Sequence, residues 1–200
     1  MWIKICGLTT PEAVAAALDA KVDAIGFVFA KSVRQVTPEV ARRLAEPARG
    51  RVRCVAVTRH PTQQDIDAIT AIFEPDVLQT DASDLPALRL PTQLDLLPVL
   101  RGAPEEAALL PKRFLFEGAT SGAGETCDWS VARAMARRGE LVLAGGLNPA
   151  NVARAIAEVR PFGVDVSTGV EVRPGVKGPA EIAKFVAAAR ESRAMCEDPV

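Results

Sequence analysis

The sequence has few of the side chains that usually bind metal ions. Its 200 residues include four cysteines, at positions 6, 54, 127 and 196, with no CxxC pair among them, and a single histidine, His60. A structural zinc site normally needs four such ligands at short, regular spacings. The sequence therefore predicts no metal centre, and it predicts cysteines that stay reduced.

An excess of charge of either sign and long apolar runs are also missing. Lys and Arg total 24 against 25 for Asp and Glu, so there is no broad positive field to hold nucleic acid or an anionic membrane. No apolar run approaches the roughly 20 residues that span a bilayer. The segment Met1-Trp2-Ile3-Lys4 lacks the apolar region of a signal peptide. We expect a cytoplasmic protein whose partner is a small molecule.

What the chain does contain is an alternation of short apolar runs with stretches of helical spacing. This pattern is typical of a parallel sheet with crossover helices, and it recurs about eight times. With 48% hydrophobic residues, a chain of this length builds one sizeable core more readily than two. The predicted strands lie near residues 2–6, 23–29, 51–58, 76–79, 93–99, 113–117, 140–144 and 162–167.

Three helix starts are marked by a hydroxyl or amide at the N-cap followed by proline at the first helical position. The fourth and fifth units leave room only for short helices, at 83–86 and 103–106. The three marked starts are Thr10-Pro11-Glu12, Thr37-Pro38-Glu39 and Asn148-Pro149-Ala150.

Eight strand–helix units predict the α/β class and a closed single (β/α)₈ barrel, because the alternative doubly wound sheet usually needs only five or six strands. We place the barrel domain at residues 1–192. Residues 193–200 lose all apolar periodicity and are expected to form a frayed tail.

The ends of the last two strands suggest a phosphate site. Gly145-Gly146 and Ser167-Thr168-Gly169 follow strands seven and eight, where barrels commonly bind phosphate through backbone N–H groups. The loop after Glu117, with Gly122 and Gly124, is small and flexible enough to add amides to the same phosphate. The alternative is that the glycines only supply tight turns and that the third loop is an ordinary surface loop.

Cys6 closes the first strand. Side chains alternate along a strand, so Lys4 and Cys6 share a face that we expect to point into the barrel, with Cys6 nearer the mouth. A cation below Cys6 would favour the thiolate, which could act as a base. The alternative is an inert buried thiol, a common state of cysteine.

Asp165 lies inside the eighth, apolar strand, where an unpaired carboxylate is costly to bury. Lys4 from the neighbouring first strand is the expected partner. The pair either bridges the strands that close the barrel or brings Asp165 to a substrate.

Several motifs occur in an order and spacing that resemble the phosphoribosylanthranilate isomerase family, from Lys4 to about Ala189. Any one of them is modest, but together they are specific. They are Lys4-Ile5-Cys6-Gly7, Ser32-Val33-Arg34, Cys127-Asp128-Trp129, Leu143-Ala144-Gly145-Gly146-Leu147-Asn148-Pro149-Ala150-Asn151-Val152 and Gly163-Val164-Asp165-Val166-Ser167-Thr168-Gly169-Val170-Glu171.

The resemblance implies an Amadori rearrangement in tryptophan biosynthesis, with no metal or organic cofactor and with a phosphorylated small molecule as substrate. It implies that Cys6 is the general base, that Arg34 meets the anthranilate carboxylate, and that the loops at 145–146 and 167–169 hold the phosphate. A monomer or weak homodimer is expected.

Two positions depart from the family pattern. Glu117 stands where the family has an aspartate as general acid, and its extra methylene shifts the carboxyl group by about 1.5 Å. We predict that Glu117 serves as the acid after a local adjustment. The strand-four segment Gln79-Thr80-Asp81-Ala82 replaces the family's QLHG, so a histidine is missing.

Two other functions stay open. One is a related phosphosugar isomerase, such as the barrel of histidine biosynthesis, which resembles a duplicated half-barrel with acids in place of Cys6; no such duplication is present here. The other is a phosphoribose-binding barrel without catalysis, against which the intact Cys6 argues.

Overall fold

Eight parallel strands close into a barrel in the order of the sequence. The structure is a computed structural model that describes residues 1–102, 109–118 and 128–197. β1 pairs with both β2 and β8, with Lys4 opposite Ala24 on one side and Asp165 on the other, and this pairing completes the closure. The strands are β1 Trp2–Cys6, β2 Ala24–Val28, β3 Arg53–Val57, β4 Val77–Asp81, β5 Asp95–Leu100, β6 Arg113–Phe116, β7 Glu140–Leu143 and β8 Gly163–Val166.

Helices follow most of these strands and cover the outside of the barrel. A short antiparallel hairpin, β9 Glu171–Arg173 and β10 Val176–Lys177, follows β8. The helices in the described ranges are α1 Pro11–Asp19, α2 Pro38–Ala45, α3 Gln63–Ala68 with a π-helical continuation Ile69–Phe73, α4 Trp129–Ala136, α5 Val152–Val159 and α6 Pro179–Glu197. None of these helices is long and apolar enough to cross a membrane.

The predicted (β/α)₈ barrel is therefore confirmed, and all eight strands lie within about two residues of their predicted bounds. The fourth unit has only a 3₁₀ turn, Leu85–Ala87, while the fifth predicted helix falls outside the described residues. α6 continues to Glu197, past the predicted domain end at 192, and fraying of the tail stays a prediction.

Two of the three predicted caps have the expected form. The hydroxyls of Thr10 and Thr37 accept hydrogen bonds from the backbone N–H groups three residues on, at 3.2 and 3.3 Å. The Asn148 side chain accepts from the N–H groups of Ala150 and Asn151, but residues 149–151 form a turn. The expectation that α5 starts at Pro149 is corrected, because its regular part begins only at Val152.

The core has two layers, as a barrel requires. Outward-facing strand residues such as Ile3, Ile5 and Phe27 pack against the helices. Inside the barrel lies a smaller apolar cluster of Leu97, Val99, Leu115, Val142 and Ala144.

On the β1–β2 side, polar groups replace this inner apolar layer. A Cβ on Gly26 would lie 3.0 Å from Lys4 Cε and 3.2 Å from Cys6 Sγ. The glycine therefore leaves room for both side chains inside the barrel, as the alternation along β1 predicts.

Candidate active site

A cavity of about 400 Å³ opens at the carboxyl ends of the strands. Every predicted site residue that lies in the described ranges contributes to its wall; Gly122 and Gly124 fall outside those ranges. The structure thus brings together Cys6, Arg34, Glu117, Gly145, Gly146, Asp165, Ser167, Thr168 and Gly169.

Cys6 is buried beneath this cavity, above an ion pair. Lys4 Nζ lies 2.8 Å from Asp165 Oδ1, and the Lys4 side chain is fully buried. Burial raises the pKa of the Cys6 thiol, and Lys4 and Lys177, which lower that pKa, do not offset the effect. Lys4 therefore favours the thiolate, as expected, but burial together with the nearby Asp165 outweighs this effect, so the pKa of Cys6 stays above its ordinary value.

Glu117 follows β6 directly and contacts Arg101, which follows β5. Arg101 Nη1 lies 2.7 Å from Glu117 Oε1, close enough for an ion pair although the angle is not that of a hydrogen bond. On its other side Arg101 donates from Nε to Asp81 Oδ1 at 2.9 Å. Burial lowers the pKa of Arg101, but Asp81 and Glu117 outweigh this effect and raise it.

Arg34 is held on the opposite wall by the β9–β10 hairpin. Its Nε and Nη2 donate to the two oxygens of Glu171 at 2.6 and 2.9 Å. Lys177 Nζ lies 2.6 Å from Glu171 Oε1 and donates to the carbonyl of Ser167 at 3.0 Å. Burial raises the pKa of Glu171, but the hydrogen bonds from Arg34 and Lys177 bring it below its ordinary value.

The two glycine-bearing loops are pressed against each other. A Cβ on Gly169 would lie 1.9 Å from the Leu147 carbonyl oxygen. Gly145 and Gly146 have φ of +87° and +63°, a conformation that side chains disfavour. The glycines therefore allow the tight turns that bring both loops to the cavity wall, and the phosphate site stays a prediction.

Asn151 braces the first of these loops from the start of α5. Its Nδ2 donates to the Gly146 carbonyl at 2.9 Å, and its Oδ1 accepts from the Asn148 N–H at 2.8 Å. Because C=O and N–H point in opposite directions across a trans peptide, the bond to Gly146 turns the Leu147 N–H away from α5. Leu147 is part of the cavity wall.

Sequence reasoning missed three charged residues at the site. Arg101 lies just beyond the predicted end of strand five at residue 99, although its spacing from Leu97 and Val99 places it on the inward face. Asp81 shares the inward face of β4 with Gln79 by the same rule. Lys177 reaches the Ser167 loop only because of the hairpin, which the sequence pattern did not predict.

One group of possible metal ligands occurs in the described ranges, formed by His60, Asp81 and Asp84, whose ligand atoms lie within 4.8 Å of one another. Each already has a partner: His60 Nδ1 lies 2.9 Å from Asp84 Oδ1, and Asp81 is paired with Arg101. The three side chains lie close together because they take part in these ion pairs, so their proximity does not by itself indicate a metal site.

Comparison with known proteins gives one consistent result. The family model for N-(5'phosphoribosyl)anthranilate (PRA) isomerase matches residues 3–188. N-(5'-phosphoribosyl)anthranilate isomerase from Rhizobium rhizogenes is 38% identical over 209 residues, which cover 95% of this chain and 94% of the relative. The crystal structure of TrpF from Jonesia denitrificans is 38% identical with a TM-score of 0.79, and the match covers 96% of this chain and 98% of that one.

A further solved structure is similar to this one and contains a ligand. It is a phosphoribosyl anthranilate isomerase in complex with reduced 1-(o-carboxyphenylamino)-1-deoxyribulose 5-phosphate, 32% identical with a TM-score of 0.78, covering 96% of this chain and 99% of that chain. The resemblance of the sequence motifs is confirmed, and the chain belongs to the N-(5'-phosphoribosyl)anthranilate isomerase family.

Proposed function

We propose that this chain converts N-(5'-phosphoribosyl)anthranilate into 1-(2-carboxyphenylamino)-1-deoxyribulose 5-phosphate, a step of tryptophan biosynthesis. The observation that carries the proposal is the shared cavity, in which a thiol at the end of β1 and a carboxyl group at the end of β6 flank two glycine-bearing loops. The solved relative that holds a reduced carboxyphenylamino-deoxyribulose phosphate supports the same class of ligand.

Glu117 serves as the general acid in this account and must be in its protonated, neutral form when the substrate is bound. It gives a proton to the furanose ring oxygen, the C1'–O bond breaks, and the anilino nitrogen supplies the electron pair that forms a Schiff base. The Glu117 side chain is only 13% exposed, so few water molecules compete for the proton.

Cys6 serves as the general base. It removes the proton from C2' of the Schiff base, and the electron pair moves to form an enolamine that tautomerises to the ketone product. Burial holds the pKa of the Cys6 thiol above its ordinary value. Its thiolate is therefore a strong base once formed, and Lys4, the larger of the two cationic influences on Cys6, favours this form.

The remaining residues bind and orient the substrate. The phosphate lies against the backbone amides of the loops at 145–146 and 167–169, as dianions commonly do in such barrels. Arg34 uses Nε and Nη2 for Glu171, which leaves Nη1 for the anthranilate carboxylate. Asp165, held by Lys4 through one oxygen, directs its other oxygen to a substrate hydroxyl.

The test begins with the purified chain and N-(5'-phosphoribosyl)anthranilate. Because the reaction leaves the mass unchanged, chromatography must separate substrate from product. Conversion at a rate above the uncatalysed one supports the proposal, whereas binding without turnover indicates the phosphoribose-binding alternative. Turnover only of a different phosphorylated sugar indicates a related phosphosugar isomerase.

A genetic experiment gives a second readout. The wild-type chain should restore growth of a tryptophan auxotroph that lacks this isomerase, and Cys6→Ser should not. Cys54→Ser is the matched control, because Cys54 is buried between the barrel and its helices, away from the cavity. Growth with Cys6→Ser equal to wild type would rule out Cys6 as the base. The cytoplasmic location and the monomer or weak homodimer stay predictions.

A further inference from the structure

Arg101 joins the two positions at which this chain departs from the family pattern. Its Nη1 lies 2.7 Å from Glu117 Oε1, and its Nη2 lies 2.8 Å from Asp81 Oδ1. Its Nε donates to the same Asp81 oxygen at 2.9 Å. One guanidinium therefore contacts both the lengthened acid and the residue that replaces a histidine.

The three residues lie at the carboxyl ends of three neighbouring strands. β4 pairs with β5, and β5 pairs with β6. Asp81 and Arg101 follow the same alternation as the inner residues of their strands, so both side chains face the inside of the barrel. Arg101 and Glu117 line the cavity, and Asp81 lies behind Arg101 as its partner. The side chains of Asp81, Arg101 and Glu117 are 9%, 21% and 13% exposed, which shields their contacts from water.

These contacts fix where the Glu117 carboxyl group lies. Glutamate has one more rotatable bond than aspartate, so its carboxyl group can occupy more positions when nothing holds it. A guanidinium is planar and rigid, and its position is set here by two N–H groups on one Asp81 oxygen. Arg59 and His60 lie 3.9 and 3.7 Å from the other Asp81 oxygen and restrain Asp81 in turn.

We propose that Asp81 and Arg101 are positioning residues for Glu117: Asp81 fixes the guanidinium of Arg101, and Arg101 selects the Glu117 conformer that reaches the substrate ring oxygen. The inference rests on the proposed function. The two departures from the family pattern then act as one unit, since the carboxylate at position 81 supplies the anchor that a longer acid at position 117 requires.

The test measures kcat and KM separately for Asp81→Asn, Arg101→Gln and the double variant. A misplaced general acid slows the chemical step, so kcat should fall about 10- to 100-fold in each single variant while KM changes less than about 3-fold. The double variant should be no slower than Arg101→Gln, because both changes break the same chain of contacts. Arg101→Lys keeps the positive charge but loses the planar guanidinium that donates two N–H groups to Asp81. Its kcat should therefore lie between those of Arg101→Gln and wild type.

Asp95→Asn is the matched control. Asp95 begins β5, at the end of the barrel opposite the cavity, and pairs with Arg53 as Asp81 pairs with Arg101. Its kcat should stay within about 2-fold of wild type. Thermal unfolding of each variant identifies any that does not fold. If Arg101→Gln does not fold, the kcat values of Arg101→Lys and Asp81→Asn decide the test.

The outcomes separate this inference from the proposed function. An inactive wild-type chain overturns the proposed function. An active wild type with Asp81→Asn and Arg101→Gln within 3-fold of its kcat overturns only the positioning roles. A rise in KM at constant kcat also overturns them, because it shows that Arg101 binds substrate directly.

Discussion

Lys4 Nζ lies 2.8 Å from Asp165 Oδ1 inside the closed barrel, although 161 residues separate the two in sequence. The contact crosses the β1–β8 seam, where the barrel closes, and both side chains are at least nine-tenths buried. Breaking such a pair by removing one partner leaves an uncompensated buried charge, which is strongly destabilising.

Asp165→Asn should therefore lower the free energy of unfolding by about 3 kcal/mol. Lys4→Met combined with Asp165→Asn should recover part of that loss, because no buried cation then remains. Urea unfolding followed by circular dichroism measures both variants.

Glu181→Gln is the control for this prediction, since it breaks an exposed pair with Lys184 on α6. Exposed pairs contribute little, so the change should stay below about 0.5 kcal/mol. An Asp165→Asn protein within 1 kcal/mol of wild type would show that the seam is held together by other contacts.

Cys54 makes the free energy of unfolding depend on pH in the alkaline range. Burial raises the pKa of the Cys54 thiol from 9.0 to about 11. Above pH 9 the unfolded chain releases this proton while the folded chain keeps it, so the folded state loses stability as pH rises toward 11. The loss is about 1.4 kcal/mol per pH unit in that window.

Cys54→Ala removes this contribution. The variant should be less stable than wild type at pH 7, because it leaves a small cavity, but should lose less stability between pH 9 and pH 11. Urea unfolding at several pH values under reducing conditions tests this. If the free energy of unfolding falls equally with pH in both proteins, the Cys54 thiol is not the cause of the loss.

The fold could be predicted in detail because its signals are local. Proline at the first helical position and threonine at the cap place α1 and α2, and apolar runs place the strands. The seam could also be predicted, since a closed barrel must pair its first strand with its last, which puts Lys4 beside Asp165. The start of α5 could not, because Asn148 caps a turn as readily as a helix.

The site could be predicted only in part. The alternation along β1 places Cys6 in the cavity, but its pKa depends on how deeply it is buried, which no motif encodes. Spacing along β5 places Arg101 on the inward face, but its contact with Asp81 and Glu117 depends on the register in which β5 pairs with β4 and β6. Sequence alone does not fix that register at the end of β5.

Asn151 should affect the binding of phosphate more than the chemical step. Its bonds to Gly146 and Asn148 orient the loop at 145–146. In Asn151→Ala we expect KM for the phosphorylated substrate to rise about 10-fold, which corresponds to the loss of one charge-assisted contact. The kcat should change less than about 3-fold. Inorganic phosphate, used as a competitive inhibitor, should bind more weakly by a similar factor.

Gln63→Ala is the matched control for Asn151→Ala. The Gln63 amide also braces a backbone segment, accepting from Arg89 N at 2.8 Å and donating to Arg89 O at 3.0 Å, but it is only partly buried and does not line the cavity. It should leave KM unchanged. A drop in kcat at constant KM in Asn151→Ala would contradict the assigned role.

The most direct test of the account is the kcat of Glu117→Gln beside that of wild type with N-(5'-phosphoribosyl)anthranilate. Glutamine keeps the size and can still contact Arg101, but its amide is not an acid and cannot protonate the ring oxygen. General acids contribute about 10²–10⁴-fold, so kcat should fall by at least about 100-fold. A Glu117→Gln protein that keeps more than about a tenth of the wild-type activity would show that the acid lies elsewhere.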